Sequence, residues 1–390
     1  MPSPSPAPRP IYATVLQASL GVALVAILLF AAGYPLIGGP LVTVFFALAA
    51  FGVRGHEKLR GVSFSLLIFA AVSFAMNYPA PLVRWGDFGL DALIVPLLQI
   101  IMFGMGTAMS AGDFVGVVRA PKAVFIGLAC QFTVMPFVGA GLALVFNLEP
   151  GVAAGVVLIG AAPSGLASNV MAYIGKANLA LSVTLTTVAT LLAPLVTPFY
   201  MQWLAGQLIP IDTWGMMWSI IQITILPIVA GLIFNYFLHG RTGWLDRLMP
   251  KVSMGGIVLI LMIMTAGGRD NLLEIGLLLV FISLLHNVAG YLLGYWSCRV
   301  LGLDEKSCRT ISFEVGLQNA GLATGLAQEM GRMATVGLVP AVFGSLMNIT
   351  GATLATFWRD RPVAPNPDSA PWSEWMFREP VSESSEEESS

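Results

Sequence analysis

Glu314 stands in the run Phe313-Glu314-Val315-Gly316-Leu317-Gln318-Asn319, a stretch whose surroundings are apolar enough to lie inside a membrane. A carboxylate at mid-depth costs a few kcal/mol at least, and such groups mark ion or proton pathways. Other oxygen donors gather in pattern around it: Ser168 and Asn169, then Ser182 and Thr186, then Gln318 and Asn319. Ser182 and Thr186, at i and i+4, share one helix face. Hard cations take oxygen ligands, and unwound backbone at Val315 and Leu317 would add carbonyls, as half-helix ends do within bilayers. No thiol or imidazole joins the set, which speaks against a soft metal. The chemistry these residue types suit is a cation site or proton relay centred on Glu314. The plain alternatives are a carboxylate neutralised by a proton or an arginine, and hydroxyls that bond back to their own helices. No Lys or Arg is expected at the depth of Glu314. His286, in a late span, and His56 and His239, in loops, form no cluster and carry no expected catalysis.

The elements that must hold these groups follow from composition. Of 390 residues 56% are hydrophobic and 10% charged, against roughly 25% charged in a soluble domain. This excludes a disordered, collagen-like or nucleic-acid-binding chain and leaves a polytopic membrane protein whose surroundings are the lipid bilayer. A spanning helix needs about 20 mostly apolar residues. Candidate spans are 11–32, 38–54, 61–82, 91–111, 119–146, 151–174, 178–205, 213–238, 252–267, 271–298, 306–330 and 333–358. The runs are too long and continuous for barrel strands. With both termini cytoplasmic, the inside loops hold every one of the 19 basic residues except Arg84, Arg269 and Arg332, as the positive-inside rule requires. The arm 1–10 is Pro-rich, and the tail 359–390, ending in a Ser/Glu run, is expected to stay disordered.

Two segments put helix breakers and polar groups in mid-membrane: Gly160-Ala161-Ala162-Pro163-Ser164-Gly165 through Met171, and Phe313 through Gly325. Five spans lead from one to the other, so the two halves run in opposite senses, as an inverted repeat requires.

The runs Pro163-Ser164-Gly165-Leu166-Ala167-Ser168-Asn169-Val170-Met171, Leu179-Ala180-Leu181-Ser182-Val183, Glu314-Val315-Gly316-Leu317-Gln318-Asn319 and Met102-Phe103-Gly104-Met105-Gly106 resemble the bile acid:sodium symporter family, in the family's order. The resemblance covers roughly 61–358 and implies an all-α fold of inverted five-helix repeats with two crossed discontinuous helices. It further implies a ten-helix body, with a panel over 61–111 and 213–267 and a core over 119–205 and 271–358. Residues 11–60 would be an additional N-terminal helix pair. One sodium would be held by Ser168, Asn169, Ser182, Thr186 and Glu314. A second would be held by Gln131, Glu314, Gln318 and the backbone of Val315 and Leu317. Gln131 enters from the resemblance alone. Residues flanking the breaks would touch substrate: Ala162, Leu166, Asn319, Met347 and Asn348. Here the chain departs from its relatives. Leu166 stands where Thr is common, Ser164 replaces a Gly, and Met347 replaces the His of some bacterial members.

The expectation is therefore sodium-coupled import of a small organic anion, with a pyruvate- or pantoate-like carboxylate preferred to bile acid, through an inner (cytoplasmic) membrane. The sequence leaves oligomeric state open. A metalloid oxyanion exporter of related fold is weakened by Ala161-Ala162-Pro163, where such exporters carry a Cys. An intramembrane enzyme using Glu314 as acid or base lacks an evident partner group. A sensor that binds the anion without moving it has only the tail to recommend it.

Overall fold

Proline and glycine decide where the helices of this chain stop, while the apolar runs between them decide where they lie. A computed structural model describes residues 10–56, 62–109, 120–238, 243–361 and 363. Apart from Pro10 and residues 359–361 and 363, the expected arm and tail lie outside the described residues. Helices α1 (Pro10–Ala31) and α2 (Pro35–Gly52) form a hairpin. The turn uses Gly33 at φ +81°, a conformation glycine takes without a Cβ penalty. Helix α2 packs along α3 (Ser63–Asn77), whereas α1 rests on α2 and the short turn that follows it.

The span expected over 61–82 is shorter than that: α3 ends at Asn77, ahead of Pro79. A single turn at Ala80–Val83 follows. Next comes a small antiparallel hairpin of β1 (Arg84–Trp85) and β2 (Phe88–Gly89). The chain then continues as α4 (Ile94–Ala108), α5 (Pro121–Val145), α6 (Pro150–Ala161), α7 (Leu166–Ile174) and α8 (Leu179–Tyr200). Helix α8 contains Pro194 and Pro198 and passes into a π turn at Met201–Ala205. A second π turn, Ile221–Ile225, joins α9 (Thr213–Ile220) to α10 (Leu226–Leu238). The remaining helices are α11 (Gly243–Gly267), α12 (Arg269–Val300), α13 (Glu305–Gly316), α14 (Ala320–Glu329) and α15 (Leu338–Arg359).

Among the described residues eight helices are long and apolar enough to cross a membrane, with Ser63–Asn77, Pro150–Ala161 and Lys251–Gly267 apolar but shorter. The chain is an all-α polytopic membrane protein. Large apolar side chains such as Leu20, Leu24, Leu277 and Tyr236 stay exposed on its outside, where lipid rather than water is the solvent.

Helices α3, α4, α10 and α11 pack together, and α5 to α8 pack with α12, α13 and α15. Helix α14 lies between these groups, against α4 on one side and α15 on the other. Helix α13 is buried along almost its whole length, although it contains Arg309, Thr310, Ser312 and Glu314. Its polar groups therefore need partners from α5, α7, α8 and α12, and this requirement builds the site.

Candidate functional site

Both predicted breaks are present, and local chemistry explains each. Proline disfavours helical backbone in the residue before it and donates no hydrogen bond. Ala162, preceding Pro163, is accordingly extended at φ −69°, ψ 152°, which ends α6. The second break follows Gly316, where a Cβ would sit 2.2 Å from the Tyr291 ring. Leu317 turns to φ −108°, ψ 92°, and Asn319 restarts the helix as N-cap of α14, its Oδ1 accepting from Leu322 N at 3.0 Å.

Backbone groups freed in a bilayer must find partners inside the protein, and here each break supplies them to the other. Ser164 and Gln318 form an isolated antiparallel bridge. Gly165 N donates to Leu317 O at 2.9 Å, and Asn319 N donates to Pro163 O at 2.8 Å. Amide side chains serve the neighbouring carbonyls. Gln131 Nε2 reaches Ala162 O at 3.2 Å, Gln318 Nε2 reaches Val315 O at 2.6 Å, and Asn287 Nδ2 reaches Gly316 O at 2.7 Å. The two extended segments thus cross in the middle of the packed helices.

Five oxygen-bearing side chains meet beside the crossing: Ser168 and Asn169 on α7, Ser182 and Thr186 on α8, and Glu314 on α13. Ser182 Oγ lies 2.5 Å from Glu314 Oε1 and 2.8 Å from Asn169 Oδ1. Thr186 Oγ1 lies 2.9 Å from Glu314 Oε2 and 3.2 Å from Asn169 Oδ1. Ser168 Oγ donates to Gly165 O at 2.7 Å and approaches Thr186 Oγ1 at 3.3 Å. Each hydroxyl carries one proton, yet those of Ser182 and Thr186 each face both the carboxylate and the amide oxygen. The two hydroxyls therefore hold the carboxylate and the Asn169 amide together in one buried polar cluster. A buried, oxygen-rich cage around a carboxylate suits a hard cation; Glu314 is 1% exposed and Ser168, Ser182 and Thr186 no more than that.

Gln131 stands on the other side of the crossing. Its Nε2 also donates to Gln318 Oε1 at 2.8 Å. With two acceptors facing that nitrogen the amide has one sensible orientation, and Gln131 Oε1 is left buried with no partner. Gln131, Gln318, Val315 and Leu317 are therefore brought together, with one oxygen unused among them. The residues expected to touch substrate divide. Leu166 is 39% exposed at the start of α7. Asn348 is partly buried, its Nδ2 donating to Gly344 O at 2.7 Å. Ala162, Asn319 and Met347 are buried. Helix α15 runs across the crossing, Gly344 lying close to Ala320 and Gly351 close to Leu317 and Met171, which sets Met347 and Asn348 between those two approaches.

Counting Arg309 among loop charges is corrected by the structure. Its side chain is buried, and Nε pairs with Glu305 Oε1 at 2.7 Å. Nη1 reaches Trp358 O at 3.0 Å and Gly175 O at 3.4 Å. Tyr295 OH donates to the other Glu305 oxygen at 2.7 Å. The pair thus ties the C-terminal ends of α7 and α15 to α13. The sequence signal was present in the i, i+4 spacing of Glu305 and Arg309, which also suits an exposed pair. His286 is likewise buried, with Nε2 2.9 Å from Met135 O.

Residues 95–275 match the model described as the Sodium Bile acid symporter family. The chain is 39% identical over 307 residues to the uncharacterized sodium-dependent transporter YocS of Bacillus subtilis (strain 168), covering 78% of this chain and 94% of that protein. It is 36% identical over 264 residues to the probable sodium/metabolite cotransporter BASS1, chloroplastic, of Arabidopsis thaliana, covering 67% and 65% respectively. It is 34% identical over 294 residues to the probable sodium/metabolite cotransporter BASS2, chloroplastic, of Oryza sativa subsp. japonica, covering 74% and 68%. On these matches the chain belongs to the sodium bile acid symporter family.

Proposed function

We propose that this chain is a sodium-coupled secondary transporter that imports a small organic anion by alternating access, and not an enzyme. The observation that carries the reading is the buried cage of oxygen-bearing side chains around Glu314. One sodium is held there by Ser168, Asn169, Ser182, Thr186 and Glu314. A second is held by Gln131, Glu314, Gln318 and the carbonyls of Val315 and Leu317, and the unpartnered Gln131 Oε1 supports it. The names of the relatives, a sodium-dependent transporter and sodium/metabolite cotransporters, support the same coupling.

The substrate lies at the crossing, beside Ala162, Leu166, Asn319, Met347 and Asn348. Helices α7 and α14 both begin there, and helix N-termini favour negative charge. A compact carboxylate of the pyruvate or pantoate kind suits this setting. The packing groups support a panel over 61–111 and 213–267 moving against a core over 119–205 and 271–358, built as inverted repeats. Helices α1 and α2 are an addition to that ten-helix body. Both termini face the cytoplasm across the inner membrane. Sodium neutralises Glu314 and tightens α7, α8 and α13 around the crossing. The anion then binds to an ordered site, so each solute raises the other's affinity by the same factor.

The test is uptake of labelled carboxylates into proteoliposomes with and without an inward sodium gradient, comparing wild type with Glu314→Gln. The expected result is sodium-dependent uptake in wild type and its loss in the variant. Equal sodium-driven uptake by both would remove the carboxylate from the mechanism.

A further inference from the structure

Ser164 sits in the first break between Pro163 and Gly165, and its side chain is 1% exposed. Its backbone is held by the bridge to Gln318, so the residue cannot drift from the crossing without breaking both extended segments. Apart from the Glu314 carboxyl that it faces, Ser164 Oγ meets no hydrogen-bonding group. It lies next to the Glu314 carboxyl, as Ser168, Ser182 and Thr186 do. The nearby carbonyls already have their donors: Leu317 O accepts from Gly165 N, Pro163 O from Asn319 N, Ala162 O from Gln131 Nε2. Leaving a hydroxyl short of partners in a dry interior costs up to about 1–3 kcal/mol, and each such group in a native structure calls for an explanation. An apolar side chain or glycine at this position would avoid that cost.

We infer that Ser164 is a further ligand of the coupling cation at Glu314, an oxygen supplied from the break itself and not from α7 or α8. This rests on the reading of the cage as a sodium site. The hydroxyl presents a lone pair to the ion and its proton outward. A neutral oxygen adds to coordination without altering the charge of the site, so it tunes affinity and ion choice, not the coupling itself. Sodium takes oxygen ligands at longer distances than lithium. An added oxygen that completes the larger shell favours sodium over lithium.

The experiment is a titration of thermal stabilisation in detergent, with sodium chloride or lithium chloride replacing choline chloride, on wild type, Ser164→Ala, Ser164→Thr and Glu314→Gln. A ligand that binds only the folded state raises the midpoint with its concentration. Ser164→Ala is expected to need about five- to tenfold more sodium for half of the same maximal shift, the loss of about one neutral oxygen contact. Its lithium curve should move less, so sodium-over-lithium preference narrows. Ser164→Thr, which keeps the oxygen, should titrate near wild type. Should Ser164→Ala not yield folded protein, Ser164→Gly carries the same expectation. A Ser164→Ala curve superimposed on wild type, while Glu314→Gln loses its sodium response, would overturn the assignment of Ser164 alone. Equal weakening by Ala and Thr would also overturn it, reducing the residue to packing. A Glu314→Gln curve matching wild type would instead overturn the cage as a sodium site.

Discussion

Replacing Arg309 with Met tests how the cage is held in shape. The guanidinium joins Glu305, the end of α7 through Gly175 O and the end of α15 through Trp358 O. Its removal leaves Glu305 buried, tethered by the Tyr295 hydroxyl, and deprives two buried carbonyls of this donor. Removing one member of a buried pair costs about 3–5 kcal/mol, chiefly because the other charge remains unpaired. In a chain of this size that corresponds to a fall of about 4–6 °C in unfolding midpoint, followed by tryptophan fluorescence in detergent. The double variant Glu305→Leu/Arg309→Met leaves no stranded charge and should regain most of the loss, with a coupling of at least about 2 kcal/mol in the double-mutant cycle. Because Gly175 ends the helix that carries Ser168 and Asn169, the single variant should also weaken sodium stabilisation, and the double should restore only part of it. A single variant melting within about 2 °C of wild type would refute this account of the pair.

The remaining expectations concern helix ends. Asn178 caps α8, its Oδ1 accepting from Leu181 N at 3.1 Å, while its backbone exchanges hydrogen bonds with the Thr310 hydroxyl. Asn178→Ala should lower stability by about 1 kcal/mol, seen as a small midpoint shift with uptake retained at saturating sodium. Gly316→Ala would drive a Cβ into the Tyr291 ring. Overpacking of this kind costs about 1–3 kcal/mol, and displacement of Leu317 should raise the half-saturating sodium concentration in uptake; a variant with wild-type kinetics would show that the second break tolerates a shift.

The legible parts of this molecule were those written in local pattern. Apolar runs placed the helices, Pro163 and the polar run after Glu314 placed the breaks, and the four-residue spacing of Ser182 and Thr186 set both hydroxyls toward one carboxylate. What stayed hidden depends on contacts between distant segments. Nothing near Gln131 announces that its amide bridges Ala162 and Gln318. The position of Ser164 beside a proline reads as a turn residue, and its buried hydroxyl beside Glu314 emerges only from the crossing. Arg309 was misplaced because a charge tally treats a basic residue near a helix start as solvated, whereas α13 is surrounded on all sides. The early end of α3 was missed because apolar residues continue through Ala80-Pro81-Leu82-Val83 after the helix itself has stopped.

The reciprocal bridge between Pro163–Gly165 and Leu317–Asn319 also bears on how the protein is made. A ribosome delivers the first break to the membrane roughly 150 residues before the second exists. Until then, Pro163 O and Gly165 N have no partner at that depth, and water or the insertion machinery must satisfy them. The first half is therefore expected to wait in an incompletely dehydrated state, and the arrival of α13 and α14 is the step that seals it. Truncation before Glu305 should leave the first break open to water-soluble reagents, a property of biogenesis that the finished protein conceals.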